Sequence, residues 1–350
     1  RYPHAIVFFR LGDFYETFDD DAQIASRELD VVLTSRNVAK GQRIPMAGVP
    51  YHAVDSYVAK LIAKGYKVAI CEQTGQAIDG LMPREVTRVV TPGTVVEPVL
   101  LSDKRNNYLS ALVIDDGALG IAYADITTGE FLTTQIEDGR VAAAARELDR
   151  LRPAEVILSD EGESVVMPGG MSTAEAAAAV VGQRYPEMAS LGLSFTLYED
   201  WRFDLGTCRQ ALLDHFKVTT LAGYGCEDNP QAIRAAGVLV QYLRQHQPSA
   251  LAQLTGMATY TTSAFMTLDT ATRRNLELTE TIRERQLRGS LLGVLDMTLT
   301  PMGGRLLRRW ISQPLLDLSA LEERLAAVDI CVQSLAKRTA SSKSLTRQIA

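Results

Sequence analysis

The sequence predicts a multidomain α/β protein whose last part is all-α, on three observations. Short apolar runs alternate with helical spacing through the first hundred residues, three strand signals crowd together after residue 107, and strand signals stop near residue 260.

The elements follow in order. Ile6–Leu11 reads as a strand, and Gly12-Asp13 is a favoured two-residue hairpin turn because glycine supplies the positive φ. Phe14–Phe18 returns as a second strand. Asp19, Asp20 and Asp21 offer caps and first-turn acids for a helix to about Leu29. The β-branched run Val31–Thr34 predicts a third strand, and Gly41, Pro45, Gly48 and Pro50 predict a loop over 36–50. Apolar spacing at Val54, Tyr57, Val58, Leu61 and Ile62 predicts a helix over 53–64 that Gly65 ends. Strands follow over 66–71 and 86–91, separated by a loop over 75–83, and Pro92-Gly93 stops the second of them.

A polar stretch over 98–107 reads as a linker between a first domain over 1–97 and a second over 108–247. The second domain opens with strands over 108–114, 119–126 and 130–135, joined by glycine-bearing turns as an antiparallel meander. A helix over 141–151, a strand over 154–158, an alanine-rich helical stretch near 174–179, a strand over 195–198 and a helix over 230–245 complete it, with Pro248 as the boundary. Beyond lie helices only. Asp269 or Thr270 caps one running through Leu278, Thr300-Pro301 starts another over 302–312, and Ser319-x-x-Glu322 is a capping box for the last.

Composition excludes several classes. With 350 residues, 46% apolar and 22% charged, the chain is of ordinary globular type and not fibrous or disordered. No run approaches the roughly 18 apolar residues of a membrane helix. Cys71, Cys208, Cys226 and Cys331 form no C-x-x-C pair and the four histidines have no metal-ligand spacing, so a disulfide framework or zinc site is not expected. The first residue is not Met and the last lie within helical sequence, which suggests a piece of a longer protein. The net charge of −6 divides into −1 over 1–100, −9 over 101–250 and +4 over 251–350, so neither end is barred from a polyanion.

The chemistry concentrates at Phe14-Tyr15-Glu16. Residues two apart on a strand share a face, so Phe14 and Glu16 stand together with Tyr15 opposite. A ring beside a carboxylate at a hairpin suits insertion between base steps, where unstacking costs least at a defective pair. The carboxylate is repelled by phosphates, so it adds discrimination but no general affinity. On the residues alone, Phe14 also reads as a hairpin core residue and Glu16 as its solvated neighbour.

The segment Phe9-Arg10-Leu11-Gly12-Asp13-Phe14-Tyr15-Glu16-x-Phe18 resembles the mismatch-binding segment of the MutS family of DNA mismatch repair proteins. So do Ile44–Ala53, Val68–Gln73, Arg88–Thr94, Asp269–Glu277 and Asp296–Leu307, in order along the chain. The resemblance implies a mismatch-binding domain over 1–97, an RNase H-like connector over 108–247 and the start of a helical core over 248–350. It implies that Phe14 inserts at a mismatch and that Glu16 hydrogen-bonds the mispaired base. Arg36 is then a phosphate contact, and Leu11 and Met46 line the minor groove; each also reads as an ordinary loop or core residue. Ser35 departs from relatives that often carry two basic residues here. The resemblance further implies a cytoplasmic, nucleoid-associated homodimer that encircles mismatched duplexes or small insertion/deletion loops, with MutL and the replication sliding clamp as partners. ATP and Mg belong to a domain farther along: no G-x-x-x-x-G-K-[ST] occurs here, and Ala63-Lys64-Gly65-Tyr66-Lys67 lacks the phosphate cradle.

A second reading comes from the meander, helix and strand of 108–158, an order that also suits a metal-dependent nuclease. Asp115, Asp125, Glu147 and Asp160 are its candidate ligands.

Overall fold

Alternating apolar residues near the start of the chain build the first of two mixed sheets in a computed structural model. The structure describes residues 5–38, 42–75, 83–97, 101–115, 117–137, 140–162 and 172–334. Most of the expected loop over 75–83 and the start of the linker lie outside these residues.

The first sheet holds β1 (Ala5–Leu11), β2 (Phe14–Phe18), β3 (Thr34–Val38), β4 (Gln42–Pro50), β5 (Lys67–Gln73) and β6 (Arg84–Val90). Its strand order is β3-β4-β2-β1-β5-β6, antiparallel except where β1 lies parallel to β5. Helices α1 (Asp19–Leu29) and α2 (Val54–Ala63) cover one face. There Ile6, Phe8, Tyr15, Val49, Val68 and Ile70 pack with Ala25, Leu29, Val58 and Leu61. Burying a side chain such as that of Leu61 contributes about 1.5–3 kcal/mol, and this two-layer core is what holds the hairpin's strands in place.

Two expectations are corrected. Val31–Leu33 forms no strand, and Val32 and Leu33 are exposed; pairing starts at Thr34, opposite Met46. The expected loop over 36–50 is largely strand, with Arg36 on β3 and β4 running nine residues through Pro45, Gly48 and Pro50. The prolines are tolerated because of their positions. Pro45 lies beyond the last β2 pair, Phe18 with Met46, so β4 there has a neighbour on one side only, and Pro50 occupies the terminal pair with Phe14.

The second sheet has the order β11-β10-β7-β8-β9-β12. The expected meander forms as β7 (Leu109–Asp115), β8 (Ala118–Asp125) and β9 (Glu130–Ile136). β10 (Glu155–Ser159) runs parallel to β7 and to β11 (Phe195–Tyr198). β12 (Ala258–Thr259) pairs with β9 and lies past Pro248, so this sheet extends beyond the expected boundary. α3 (Val141–Leu151) connects β9 to β10 along the chain, and α4 (Thr173–Arg184), α5 (Pro186–Ala189), α6 (Leu205–Phe216), α7 (Pro230–His246) and α8 (Pro248–Leu251) follow. α7 is the central helix, with Ile233, Val238, Leu239 and Leu243 inaccessible to solvent.

At the end of α7, His246 stacks on Tyr242 at 4.0 Å and its Nδ1 donates to the Tyr242 carbonyl. Burial, reinforced by the positive charge of Lys67, lowers its pKa to about 4; Glu155 and the Tyr242 carbonyl act in the opposite sense, while Arg202 adds to the depression. The unfolded chain therefore binds a proton below about pH 6.5 that the folded chain refuses, and stability falls as pH drops toward 4. The full effect is about 3 kcal/mol. Thermal unfolding between pH 7.5 and 5 is expected to show a shallower pH dependence for His246→Gln, and equal slopes would contradict this.

The described residues divide into two compact units: those within Arg1–Leu101, Asn107–Ala145 and Arg152–Tyr260, and those within Ser102–Asn106, Arg146–Leu151 and Thr261–Ala350. In the second, the described residues from Thr261 onward form α9 (Thr270–Asn275), α10 (Leu291–Leu295), α11 (Pro301–Ser312) and α12 (Leu318–Gln333), with one isolated bridge between Phe265 and Leu315. Asp269 and Thr300 cap α9 and α11 as expected, although α9 stops at Asn275. The expected capping box on α12 does not form. Asp317 accepts instead from the amides of Ser319 and Ala320, because the helix already begins at Leu318 and leaves Ser319 inside its first turn.

Candidate nucleic-acid interface

Strand register gathers the five candidate residues on one face of the first sheet. Phe14 stands opposite Leu11 on β1 and Pro50 on β4, and Glu16 opposite Phe9 and Gly48. Met46 pairs with both Phe18 and Thr34, and Arg36 pairs with Ile44. Paired residues project to the same side, so Leu11, Phe14, Glu16, Arg36 and Met46 all lie away from the two helices. Tyr15 points the other way into the core, 6% exposed, while Phe14 is 49% exposed.

The turn that carries Phe14 is held from both sides. Gly12 takes φ +60°, and the Arg10 Nε donates to its carbonyl at 2.6 Å. The Arg10 guanidinium lies 3.9 Å from the Tyr51 ring centroid, and the Tyr51 amide donates to the Asp13 carbonyl at 2.9 Å. Behind the turn the Tyr15 hydroxyl bonds Glu72, and burial together with that carboxylate raises the phenol's pKa. An aromatic ring exposed on an already ordered turn needs little further ordering to bind. Gly48 lies beside it, where a Cβ would make only ordinary contacts with the Tyr15 carbonyl, Glu16 Cγ and Phe14 Cδ1 at 3.4, 3.6 and 3.9 Å.

Glu16 and Arg36 meet across β4, the Arg36 Nη1 donating to Glu16 Oε2 at 3.1 Å. Such an exposed pair is worth about 0–1 kcal/mol and exchanges partners readily. Around it the face is apolar. Phe9 and Phe18 approach to 5.9 Å, and Val7, Leu11, Ile44 and Met46 are half-buried. The surface therefore combines a strip that favours contact with flat apolar groups, one exposed ring, and a cation–carboxylate pair whose charges nearly cancel. The supports Arg10 and Tyr51 were not singled out from the sequence, since each acts through a neighbour set by register or turn geometry. The only available signal was their position beside the hairpin and the Pro50 corner.

The four carboxylates of the nuclease reading do not converge. Asp115 accepts from Arg234 Nη1 at 2.7 Å and from Gln231. Asp125 is buried and accepts from the amide and hydroxyl of Thr127. Asp160 accepts from the Gly162 and Asp200 amides, and Glu147 from Arg150. Among the described residues no three His, Cys, Asp or Glu side chains are grouped to hold a metal ion. Nor is any helix among them long and apolar enough to cross a membrane.

Comparison with known families matches nearly the whole chain. The model for MutS domain I matches residues 1–98, that for MutS domain II residues 107–255, and that for MutS domain III residues 271–350. The DNA mismatch repair protein MutS of Dehalococcoides mccartyi (strain BAV1) is 47% identical over 347 residues, covering 99% of this chain and 38% of the relative. Those of Halothermothrix orenii and Trichormus variabilis are 46% and 42% identical, covering 95% and 100% of this chain and 36% and 40% of their own lengths. The chain thus spans about two-fifths of the length of the curated relatives it matches.

Proposed function

The chain belongs to the MutS family of DNA mismatch repair proteins, and on that premise we propose that its first sheet reads mismatched or unpaired bases in duplex DNA through Phe14 and Glu16. The observation that carries this is the half-exposed Phe14 ring on a pinned turn, with Glu16 on the same open face.

Phe14 enters the minor groove and wedges between base steps. A matched step resists at a cost of a few kcal/mol, whereas a mispaired step has already lost part of that energy. The ring thereby converts local duplex weakness into affinity. Glu16 accepts a hydrogen bond from a base N–H that the wedge has displaced. Arg36 leaves Glu16 for a phosphate in the same event, which exchanges one weak ion pair for another and leaves the carboxylate free to read. Leu11 and Met46 flank the ring on the groove floor.

Glu16→Gln removes a negative charge from a surface that meets phosphates. Binding to a matched duplex is expected to strengthen by a few-fold at low salt, about 1 kcal/mol or less, and the mismatch-over-match ratio to fall. Equilibrium titration of G·T and matched duplexes at graded salt measures both. Unchanged matched-duplex affinity would contradict the electrostatic role of Glu16, and a ratio of one for the unsubstituted protein would overturn the proposed reading as a whole.

We read the second sheet, with β10 and β11 continuing its meander beyond β7, as an RNase H-like connector that runs to Tyr260, and the chain from Thr261 as the start of the helical core. The full-length protein on this reading is a homodimer that engages MutL and the sliding clamp and binds ATP with Mg elsewhere. The lysines near Gly65 do not fit a phosphate site: Lys64 Nζ is held by Glu28, and Lys67 Nζ lies 5.8 Å from the Tyr242 ring centroid.

A further inference from the structure

The run Thr91-Pro92-Gly93-Thr94 follows β6 at the end of the first sheet. It forms a tight turn in which the Thr94 amide donates to the Thr91 carbonyl and the Thr91 amide to Thr94 Oγ1. The turn faces Glu155, the first residue of β10, which is inaccessible to solvent. The two carboxylate oxygens are divided between the domains. Oε2 accepts from Thr91 Oγ1 and, at 3.0 Å, from the Gly93 amide. Oε1 accepts from Thr196 Oγ1 on β11 at 2.6 Å and from the Tyr242 hydroxyl on α7 at 2.8 Å. Gly93 is needed for this approach, since a Cβ there would lie 2.5 Å from Leu109 Cδ1 and 2.9 Å from Glu155 Cβ. Burial opposes ionisation of Glu155, but the charge of Lys67 and the hydroxyls of Thr196, Thr91 and Tyr242 hold its pKa below the ordinary carboxyl value. Lys67 opens β5, which pairs with β1, and β1 pairs with the strand that bears Phe14.

We propose that Glu155 is a positioning residue that fastens the Phe14-bearing sheet to the connector sheet, one carboxylate oxygen serving each. Its effect on DNA rests on the reading of Phe14 given above. Glu155→Gln is the selective probe. The side-chain oxygen keeps the bonds from Thr196 and Tyr242, while the amide nitrogen faces the Gly93 N–H, so the Gly93 bond is lost and the Thr91 hydroxyl must turn from donor to acceptor.

Spin labels at Lys60→Cys on α2 and Asp214→Cys on α6, with Cys331→Ser, report the distance between the two sheets' layers. Glu155→Gln is expected to broaden that distribution, and Thr91→Val to broaden it less. The mismatch-over-match binding ratio should fall by at least about fivefold, the lower end for coupled sites, while weak duplex binding persists. Adding Lys67→Met to Glu155→Gln removes the charge left without its carboxylate and is expected to recover thermal stability but not the narrow distribution. That separates positioning from mere stability. An unbroadened distribution overturns the tie. A broadened one with an unchanged ratio overturns its role in placing Phe14. A ratio of one in the unsubstituted protein would be a failure of the Phe14 reading instead, and the distance measurement would still decide the tie.

Discussion

Phe14→Ala is expected to erase the preference for a mismatched over a matched duplex while leaving weak, salt-sensitive duplex binding intact. The ring is half-exposed and makes little contribution to the core, whose hairpin contact on this strand comes from Tyr15. Truncation should therefore cost little stability. What it removes is stacking against a base, worth about 1–3 kcal/mol by alanine substitution. That loss falls on the mismatched complex, where the ring is inserted, so the ratio should drop by about 5- to 150-fold. Affinity for matched DNA should hold, since phosphate contacts supply it. Competition between G·T and matched duplexes reads the ratio directly, and unfolding curves that superpose would show that the fold is unaltered.

Gly120→Ala is expected to be the most damaging small change in the second sheet. Gly120 lies on β8, opposite Val113 and Gln135. A Cβ there would stand 2.0 Å from the Gln231 carbonyl oxygen and 2.4 Å from its carbon, so backbone must move. The first turn of α7 cannot easily yield. Gln231 N donates to Gln135 Oε1 at 2.9 Å, Thr133 Oγ1 donates to the Ala232 carbonyl at 2.9 Å, and Arg234 bonds Asp115. Overpacking costs about 1–3 kcal/mol and each lost hydrogen bond about 1 kcal/mol more. A loss of about 3 kcal/mol corresponds to roughly 10 °C in Tm for a body of this size. Gly223→Ala is the control, because nothing lies within 4 Å of its added carbon and its φ is not positive. A fall of less than about 3 °C for Gly120→Ala would contradict a rigid contact between β8 and the start of α7, given the same scale.

Local chemistry explains which parts of this molecule are legible in its sequence. The Gly12 turn, α2 with its Gly65 stop, the meander over β7 to β9 and the Thr300 cap each depend on residues within a few positions of one another. β4 was hidden because Pro45, Gly48 and Pro50 are turn formers, and only the ending of β2 at Phe18 makes Pro45 acceptable in a sheet. Asp317 displaced Ser319 as a cap because two residues of competing chemistry stood within one turn. The shared face of Phe14 and Glu16 follows from strand alternation alone. The meeting of Glu16 with Arg36 does not, since it spans β4 and depends on two registers. Glu155 carries no signal at all in sequence: its partners come from residues 91, 93, 196 and 242, and only the folded chain brings them together.

A Phe14 ring inserted into the base stack at a mismatch takes a stacking neighbour from the adjacent base. 2-Aminopurine placed beside a G·T pair reports that insertion, because the emission of this base rises when it loses a stacking neighbour. Emission is expected to rise when the unsubstituted protein binds the mismatched duplex, and to stay unchanged on the matched duplex and with Phe14→Ala on either. An equal rise with Phe14→Ala on the mismatched duplex would contradict it.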